Sequence, residues 1–244
     1  LSFVEFIDFN DLTLKTEVGA LGDKRTYAVD SSGSKYSLKE VFNSYLQFGG
    51  MPGITELGLD QEKSLMLLDS VYSTIIVRDI LDLANLRDKG PINDSVLLKK
   101  IVMFLSDNIG NNVSLSSIGN TLSNEGLLED VKTKGKVSVH KLQYYVNSLL
   151  ESFFFYEIKR FDIKGKEYLK TLGKYYIVDL GFRNLLLGYR NRDTGHVLEN
   201  IVYLELLRRG YDVAIGKIDN LEIDFIAQKA DEKLYIQVTD DMSI

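Results

Sequence analysis

Apolar positions recur at helical spacing in several stretches of the chain. Leu68, Val71, Tyr72, Ile75, Ile76, Ile80 and Leu83 mark one face from about residue 61 to 86, which predicts a long amphipathic helix. Upstream, Ser37-Leu38-Lys39-Glu40 reads as a capping box that opens a helix through Phe48, and Gly49-Gly50-Met51-Pro52-Gly53 ends it. Leu97, Ile101, Phe104 and Leu105 predict another helix, and Leu115, Ile118 and Leu122 a short one. A loop containing Gly126 and Gly135 leads to a third, which starts at Ser138 with Val139, Leu142, Val146, Leu149 and Leu150 facing inward. The pattern then changes period. Phe153-Phe154-Phe155-Tyr156-Glu157-Ile158 is aromatic and strand-prone, turns at Asp162-Ile163-Lys164-Gly165-Lys166 and returns through Lys174 to Val178. Three helices followed by a two-stranded hairpin is the order of a winged helix-turn-helix.

Beyond the hairpin, Asp179-Leu180-Gly181-Phe182-Arg183-Asn184 reads as a helix start. A second helix runs from His196 to Arg209, with Gly210 as its cap. Tyr211 to Lys217, Leu221 to Gln228 and Lys233 to Thr239 read as strands separated by polar turns. The expected architecture is α+β and multidomain. It comprises a helical region over 1–90, a winged helix over 91–180 and a small α/β domain over 181–244.

Composition narrows the chemistry. A chain of 244 residues with 45% hydrophobic content buries a sizeable core. It has no cysteine, which removes disulfides, thiol catalysis and zinc–cysteine sites, and its two histidines, His140 and His196, are far apart. Apolar runs fall short of a membrane span, and the acid-containing start is no signal peptide, so a cytoplasmic location without membrane contact is expected. A first residue of leucine and an end straight after a strand suggest a fragment of a longer protein. Net charge is −6, yet the stretch from Lys132 to Lys174 holds ten Lys or Arg against four acids. That local excess makes DNA a candidate partner through Lys141, Lys159, Arg160, Lys164 and Lys166. A solvated lysine-rich hairpin, or a winged helix used for protein contact, accounts for the same charges.

The last block carries the candidate chemistry. A helix bearing Glu199 and Glu205, then three strands placing Asp224 in Glu-Ile-Asp-Phe and Gln237 in Gln-Val-Thr, resembles the outline of a C-terminally truncated PD-(D/E)XK nuclease core. Glu199, Asp224 and the Gln237 amide are the candidate ligands for a Mg²⁺ ion, which takes oxygen donors. Thr239 stands where a Glu-x-Lys motif would place its lysine, so Glu199, Asp224, Gln237 and Thr239 form a degenerate site. A nuclease-like fold without cleavage is the expectation.

Several segments together resemble a known family. Leu1-Ser2-Phe3-Val4-Glu5-Phe6, Tyr45 to Pro52, Ile76-Val77-Arg78-Asp79-Ile80, Lys174 to Asn184, Leu198 to Leu206 and Glu222-Ile223-Asp224-Phe225 look like the C-terminal half of prokaryotic AAA-type ATPases. The resemblance implies an ATP-binding domain upstream, with residues 1–90 as its lid-like extension. This stretch itself has no phosphate-binding loop: Gly135-Lys136, Gly165-Lys166, Gly173-Lys174 and Gly216-Lys217 are not followed by Ser or Thr. No cofactor is therefore expected in this stretch apart from a possible Mg²⁺, with ATP held upstream. The expected role is an accessory, DNA-binding region of such an ATPase that is not itself catalytic. The alternative is a protein-interaction or assembly module governed by the ATPase domain, docking a protein partner or forming a homo-oligomer.

Overall fold

The computed structural model describes residues 1–19, 22–76, 80, 95–124, 138–162, 167–190, 194–218 and 221–239. The chain is α+β, with helices and both a small antiparallel and a larger mixed sheet. It divides into two compact units that do not follow chain order: Leu1–Tyr72 with Asp179–Tyr189, and Ser73–Val178 with Arg190–Ile244. This partition differs from boundaries at 90 and 180, because the segment expected to open a third domain belongs with the N-terminal residues.

The first unit begins with α1 (Phe3–Phe9), capped by a reciprocal Ser2/Glu5 box. Strands β1 (Thr13–Val18), β2 (Lys24–Val29) and β3 (Lys35–Ser37) follow as an antiparallel sheet in that order. The expectation of a helical region over 1–90 is corrected here. The sequence of β1 gives no buried face to detect, since all six of its residues are exposed. Helix α2 (Leu38–Phe48) starts at the anticipated Ser37/Glu40 capping box and ends at Gly49, whose φ of 80° is left-handed. Short α3 (Pro52–Glu56) and long α4 (Gln61–Thr74) complete the N-terminal part. The stretch anticipated as helix from residue 77 onward lies outside the described residues, apart from the buried Ile80. Phe6, Ile7, Ala28, Val41, Tyr45, Ile54 and Leu68 are buried in this unit, and the Phe6 and Tyr45 rings meet edge-on at 5.3 Å.

Helix α8 (Leu180–Leu187) returns to this unit, which explains the Asp179-to-Asn184 segment. Asp179 accepts hydrogen bonds from Gly181 N and Gly50 N, both at 2.7 Å. Asn184 Nδ2 donates to Leu46 O and Gln47 O at 2.8 and 2.9 Å. Carbonyls in the last turn of α2, which an α-helix leaves without intrahelical donors, thus find partners on α8. A Cβ at Gly49 would run into the Asp179 carboxylate, so glycine is required there by space as well as by φ.

The second unit contains α5 (Ser95–Asp107), β4 (Asn112–Val113), α6 (Leu115–Asn124), α7 (Val139–Glu151), β5 (Phe155–Asp162) and β6 (Glu167–Ile177). It continues with α9 (Thr194–Arg208), β7 (Asp212–Ile218), β8 (Leu221–Lys229) and β9 (Glu232–Ile236). Leu97, Leu98, Ile101, Leu105, Ile118, Leu122, Leu142, Val146 and Leu149 are buried, as their periodicity requires. Val139, expected to face inward, is 50% exposed in the first turn of α7. The loop carrying Gly126 and Gly135 lies outside the described residues.

One sheet runs β4-β6-β5-β7-β8-β9. All its pairings are antiparallel except β5 with β7, where Arg160, Phe161 and Asp162 pair with Ile215, Gly216 and Lys217. The hairpin is longer than its hydrophobic core suggested, and its first strand is continuous with the C-terminal strands. Ile158, Tyr176, Tyr203, Leu206, Ile215, Phe225 and Ala227 form the core of this layer. Tyr176 and Tyr203 stack at 4.9 Å, fixing α9 against the sheet.

Candidate ionic centre in the second unit

The residues singled out on α9 and β8 do meet, around a side chain that was not expected there. Lys174 on β6 is 4% exposed. Its Nζ lies 3.0 Å from Glu222 Oε1, 3.3 Å from Glu199 Oε2 and 4.0 Å from Asp224 Oδ1. Strand geometry explains the convergence, because residues two apart point to one face: Glu222 with Asp224 on β8, and Lys174 with Tyr176 on β6. Tyr176 adds its hydroxyl, donating to Glu199 Oε2 at 2.9 Å.

Neighbouring side chains and a backbone amide hold the acids in place. His196 Nδ1 lies 3.4 Å from Glu199 Oε1 across one turn of α9, an ion pair only when the imidazole is protonated. Gly110 passes so close that a Cβ there would sit 2.8 Å from His196 Nδ1 and 3.1 Å from Glu199 Oε2. Asn112 Nδ2 donates to Glu222 Oε2 at 3.1 Å, and Arg160 Nη2 is 3.9 Å from the same oxygen. Asp224 Oδ2 accepts from Val238 N at 2.8 Å. Next to Glu199, Asn200 is fully buried and clamps the end of β6: its Oδ1 accepts from Ile177 N and its Nδ2 donates to Ile177 O, each at 2.9 Å.

These contacts divide the three carboxylates. Burial alone would raise Glu199, but hydrogen bonding from His196, the Lys174 charge and the Tyr176 hydroxyl outweigh it, leaving its pKa below the ordinary value. For Glu222 burial is likewise overcome, by Lys174 and Asn112 as donors and by the Lys174 and Arg160 charges. Asp224 goes the other way. Burial dominates, the Glu199 charge adds to it, and Val238 N–H, Lys174 and Gln237 only partly oppose, so its pKa is raised. Burial and the neighbouring Glu199 push the Tyr176 phenol far above its usual range.

Glu199 and Asp224 converge on the Lys174 ammonium, and Gln237 hydrogen-bonds Asp224 from just past the end of β9. Thr239 is exposed beyond the same strand. Glu205 points elsewhere and pairs with Arg208 and Arg209. A Mg²⁺ ion requires oxygen ligands at about 2.0–2.1 Å. The space between these acids is instead filled by Nζ, and among the described residues no group of three or more His, Cys, Asp or Glu is arranged to hold a metal. The residues present do not fit the ion that the fold outline suggested.

The proposed basic face also divides. Lys159 is exposed and Lys141 half-buried, its ammonium 5.9 Å from the Tyr145 ring centre. The Arg160 side chain is 13% exposed and turned toward Glu222. Lys164 and Lys166 lie outside the described residues. Lys174, counted in the basic stretch, neutralises buried acids instead. Lys174, Glu222, Tyr176 and Asn200 were legible only as polar residues at alternate or adjacent positions, and the i, i+2 spacing in Glu222-Ile223-Asp224 was the available signal.

A family described as a domain of unknown function, DUF8612, matches residues 39–193, a stretch that includes Lys174 and Tyr176 but not Glu199 or Asp224. An uncharacterized protein of Haemophilus influenzae is 40% identical over 199 residues, covering 82% of this chain and 46% of its own length. An uncharacterized protein of Methanocaldococcus jannaschii, MJ1544, is 27% identical over 230 residues, covering 93% of this chain and 45% of its own. The chain thus spans about half the length of the curated relatives it matches. No solved structure matches it. No helix among the described residues is long and apolar enough to cross a membrane. The comparisons correct the expected kinship with AAA-type ATPases: the matching family is one of unknown function, and neither relative's name carries ATP binding, DNA binding or nuclease activity. The ATPase, DNA-binding and nuclease descriptions are withdrawn with it. By the match over residues 39–193, the chain belongs to the DUF8612 family.

Proposed function

We propose that the chain is a protein-interaction or assembly module in which the ionic centre is a structural fastener. Residues 95–177 follow the helix-strand-helix-helix-hairpin order of a winged helix, with β4 pairing β6, which supports that assignment. In this reading the wing strand β5 continues through β7 into the C-terminal layer. The centre ties α9, β6 and β8 together where the two parts join.

The observation that carries the reading is Lys174 among Glu199, Glu222 and Asp224. Phosphoryl chemistry needs cations directed at a substrate, with room for it. Here the cation is spent on the protein's own acids. Such a cluster gives little net stability over an apolar core of the same volume but is costly to break, which suits a part that fixes geometry.

The test is titration of the native chain with Mn²⁺ or Mg²⁺ by calorimetry, alongside thermal melting in their presence. The fastener reading expects no saturable heat and no shift in Tm. Saturable binding that disappears in Asp224→Asn would overturn it. Sedimentation velocity over a range of protein concentrations then tests assembly directly.

A further inference from the structure

The first unit carries an open sheet edge whose sequence matches itself. We infer that β1 is a dimerisation strand that pairs antiparallel with β1 of a second copy of this chain. The inference deepens the assembly reading by naming the partner and the surface.

Strand β1 is the edge of its sheet and is exposed along its whole length, with Leu14 45% and Val18 65% exposed. Exposed edges invite pairing, and proteins usually blunt them with proline, charged side chains, bulges or a covering element; the two charges of β1, Lys15 and Glu17, are of opposite sign and so permit a pairing that sets them against each other. Residues 13–18 contain no proline, and their register with β2 is unbroken from Thr13↔Val29 to Val18↔Lys24.

Hydrogen-bond alternation decides which residues face outward. Gly19 N donates to Asp23 O at 2.8 Å, one step beyond the Val18↔Lys24 pair. In an antiparallel ladder, residues alternate between bonding the partner strand and pointing away from it. Residues 13, 15, 17 and 19 therefore bond toward β2, and Leu14, Thr16 and Val18 present their N–H and C=O groups to the open side.

A two-fold axis through Thr16 uses those groups. It sets Thr16 against its own copy and Leu14 against Val18 of the second copy as hydrogen-bonded pairs. Lys15 falls opposite Glu17 of the second copy in the non-hydrogen-bonded positions, where side chains approach more closely. Every charge meets its opposite and each apolar residue meets an apolar one. The interface is isologous and closed. Parallel in-register pairing would instead set Lys15 against Lys15. Intrachain contacts keep the acid charged: Glu17 accepts from the Tyr27 hydroxyl at 2.5 Å and from Lys35 Nζ at 3.0 Å, and these bonds hold its pKa below the ordinary value.

Sedimentation velocity and small-angle scattering on the full chain test the inference. The native chain should dimerise reversibly. Thr16→Pro removes an outward N–H that β2 does not use, and edge strands tolerate proline there, so it should abolish dimerisation while leaving the melting profile intact. Lys15→Glu and Glu17→Lys each turn two attractive pairs into repulsive ones and should weaken dimerisation by roughly tenfold or more. Mixed together, the two single variants are complementary again and should form heterodimers. A native chain that stays monomeric at high concentration overturns the inference, while the metal titration judges the ionic fastener separately. Dimers that survive Thr16→Pro, or single variants that fail to recover on mixing, overturn β1 as the surface and leave assembly through another face standing.

Discussion

Asn200→Ala is the sharpest single test of how α9 is held on the sheet. The side chain is fully buried and satisfies both backbone groups of Ile177, which is itself fully buried. Alanine leaves a donor and an acceptor without partners in a place water does not reach. Each orphaned buried group costs about 1–3 kcal/mol, so the expected loss is about 2–5 kcal/mol after some relaxation. Against a total stability on the order of 5–15 kcal/mol, that is a large fraction. Chemical denaturation should show a lower midpoint with an unchanged slope, and hydrogen exchange should report faster exchange at the Ile177 amide in particular. Asn200→Asp provides a second arm. Ionised, it still accepts from Ile177 N but sets a negative oxygen against Ile177 O; protonated, it can donate there, so this variant should regain stability as pH falls. A loss below about 1 kcal/mol in Asn200→Ala, with Ile177 still protected, would refute the account of the clamp.

Three further outcomes are expected. Lys174→Met strands three carboxylates around one buried space and should cost about 3–5 kcal/mol, with much of that recovered when Glu222→Gln is added; denaturation of the single and double variants measures the coupling. Glu205 has a pKa depressed to about 2, chiefly by hydrogen bonding from Arg208 and then Arg209. Its contribution is therefore present above the ordinary value of 4.5 and lost as pH falls from there toward about 2, and Glu205→Gln should flatten that limb of the stability curve by a small, salt-screened amount. Gly110→Ala combines a left-handed φ of 73° with a Cβ pressed against His196 and Glu199. It should lower stability by about 1–3 kcal/mol, and a neutral melting temperature would show that the Gly110 loop yields easily.

Hydrophobic periodicity found the longer helices and the C-terminal strands but not the short α1 and α3, which span only seven and five residues. It missed β1 and β3, whose residues are all exposed, and β2, where Ala28 alone is fully buried, because no alternation of burial marks these strands. The acids of the ionic centre were legible from Glu199 and Asp224. Their neutralisation was not, because Lys174 lies in a lysine-rich stretch whose other members are indistinguishable from it by sequence. The pairings of β6 with β5, β5 with β7 and β7 with β8 bring Lys174 and the β8 acids to one face. Charge counted along the chain assigned Arg160 and Lys174 to a surface that they leave.

The return of α8 to the N-terminal unit has a consequence for the order in which the molecule can be completed. Residues 1–72 are synthesised before residues 179–189, yet the groups that satisfy the end of α2, Asp179 and Asn184, are more than a hundred residues away. Until they arrive, the Leu46 and Gln47 carbonyls and the Gly50 amide must be served by water, and the Gly49 turn lacks the carboxylate that packs against it. Contacts of such long separation are slow to close. The N-terminal residues should therefore remain protease-sensitive on the ribosome until α8 has been made, after which both units can finish together. A chain stopped at Val178 would keep every residue from α5 through β6 and still leave the unit of residues 1–72 without α8.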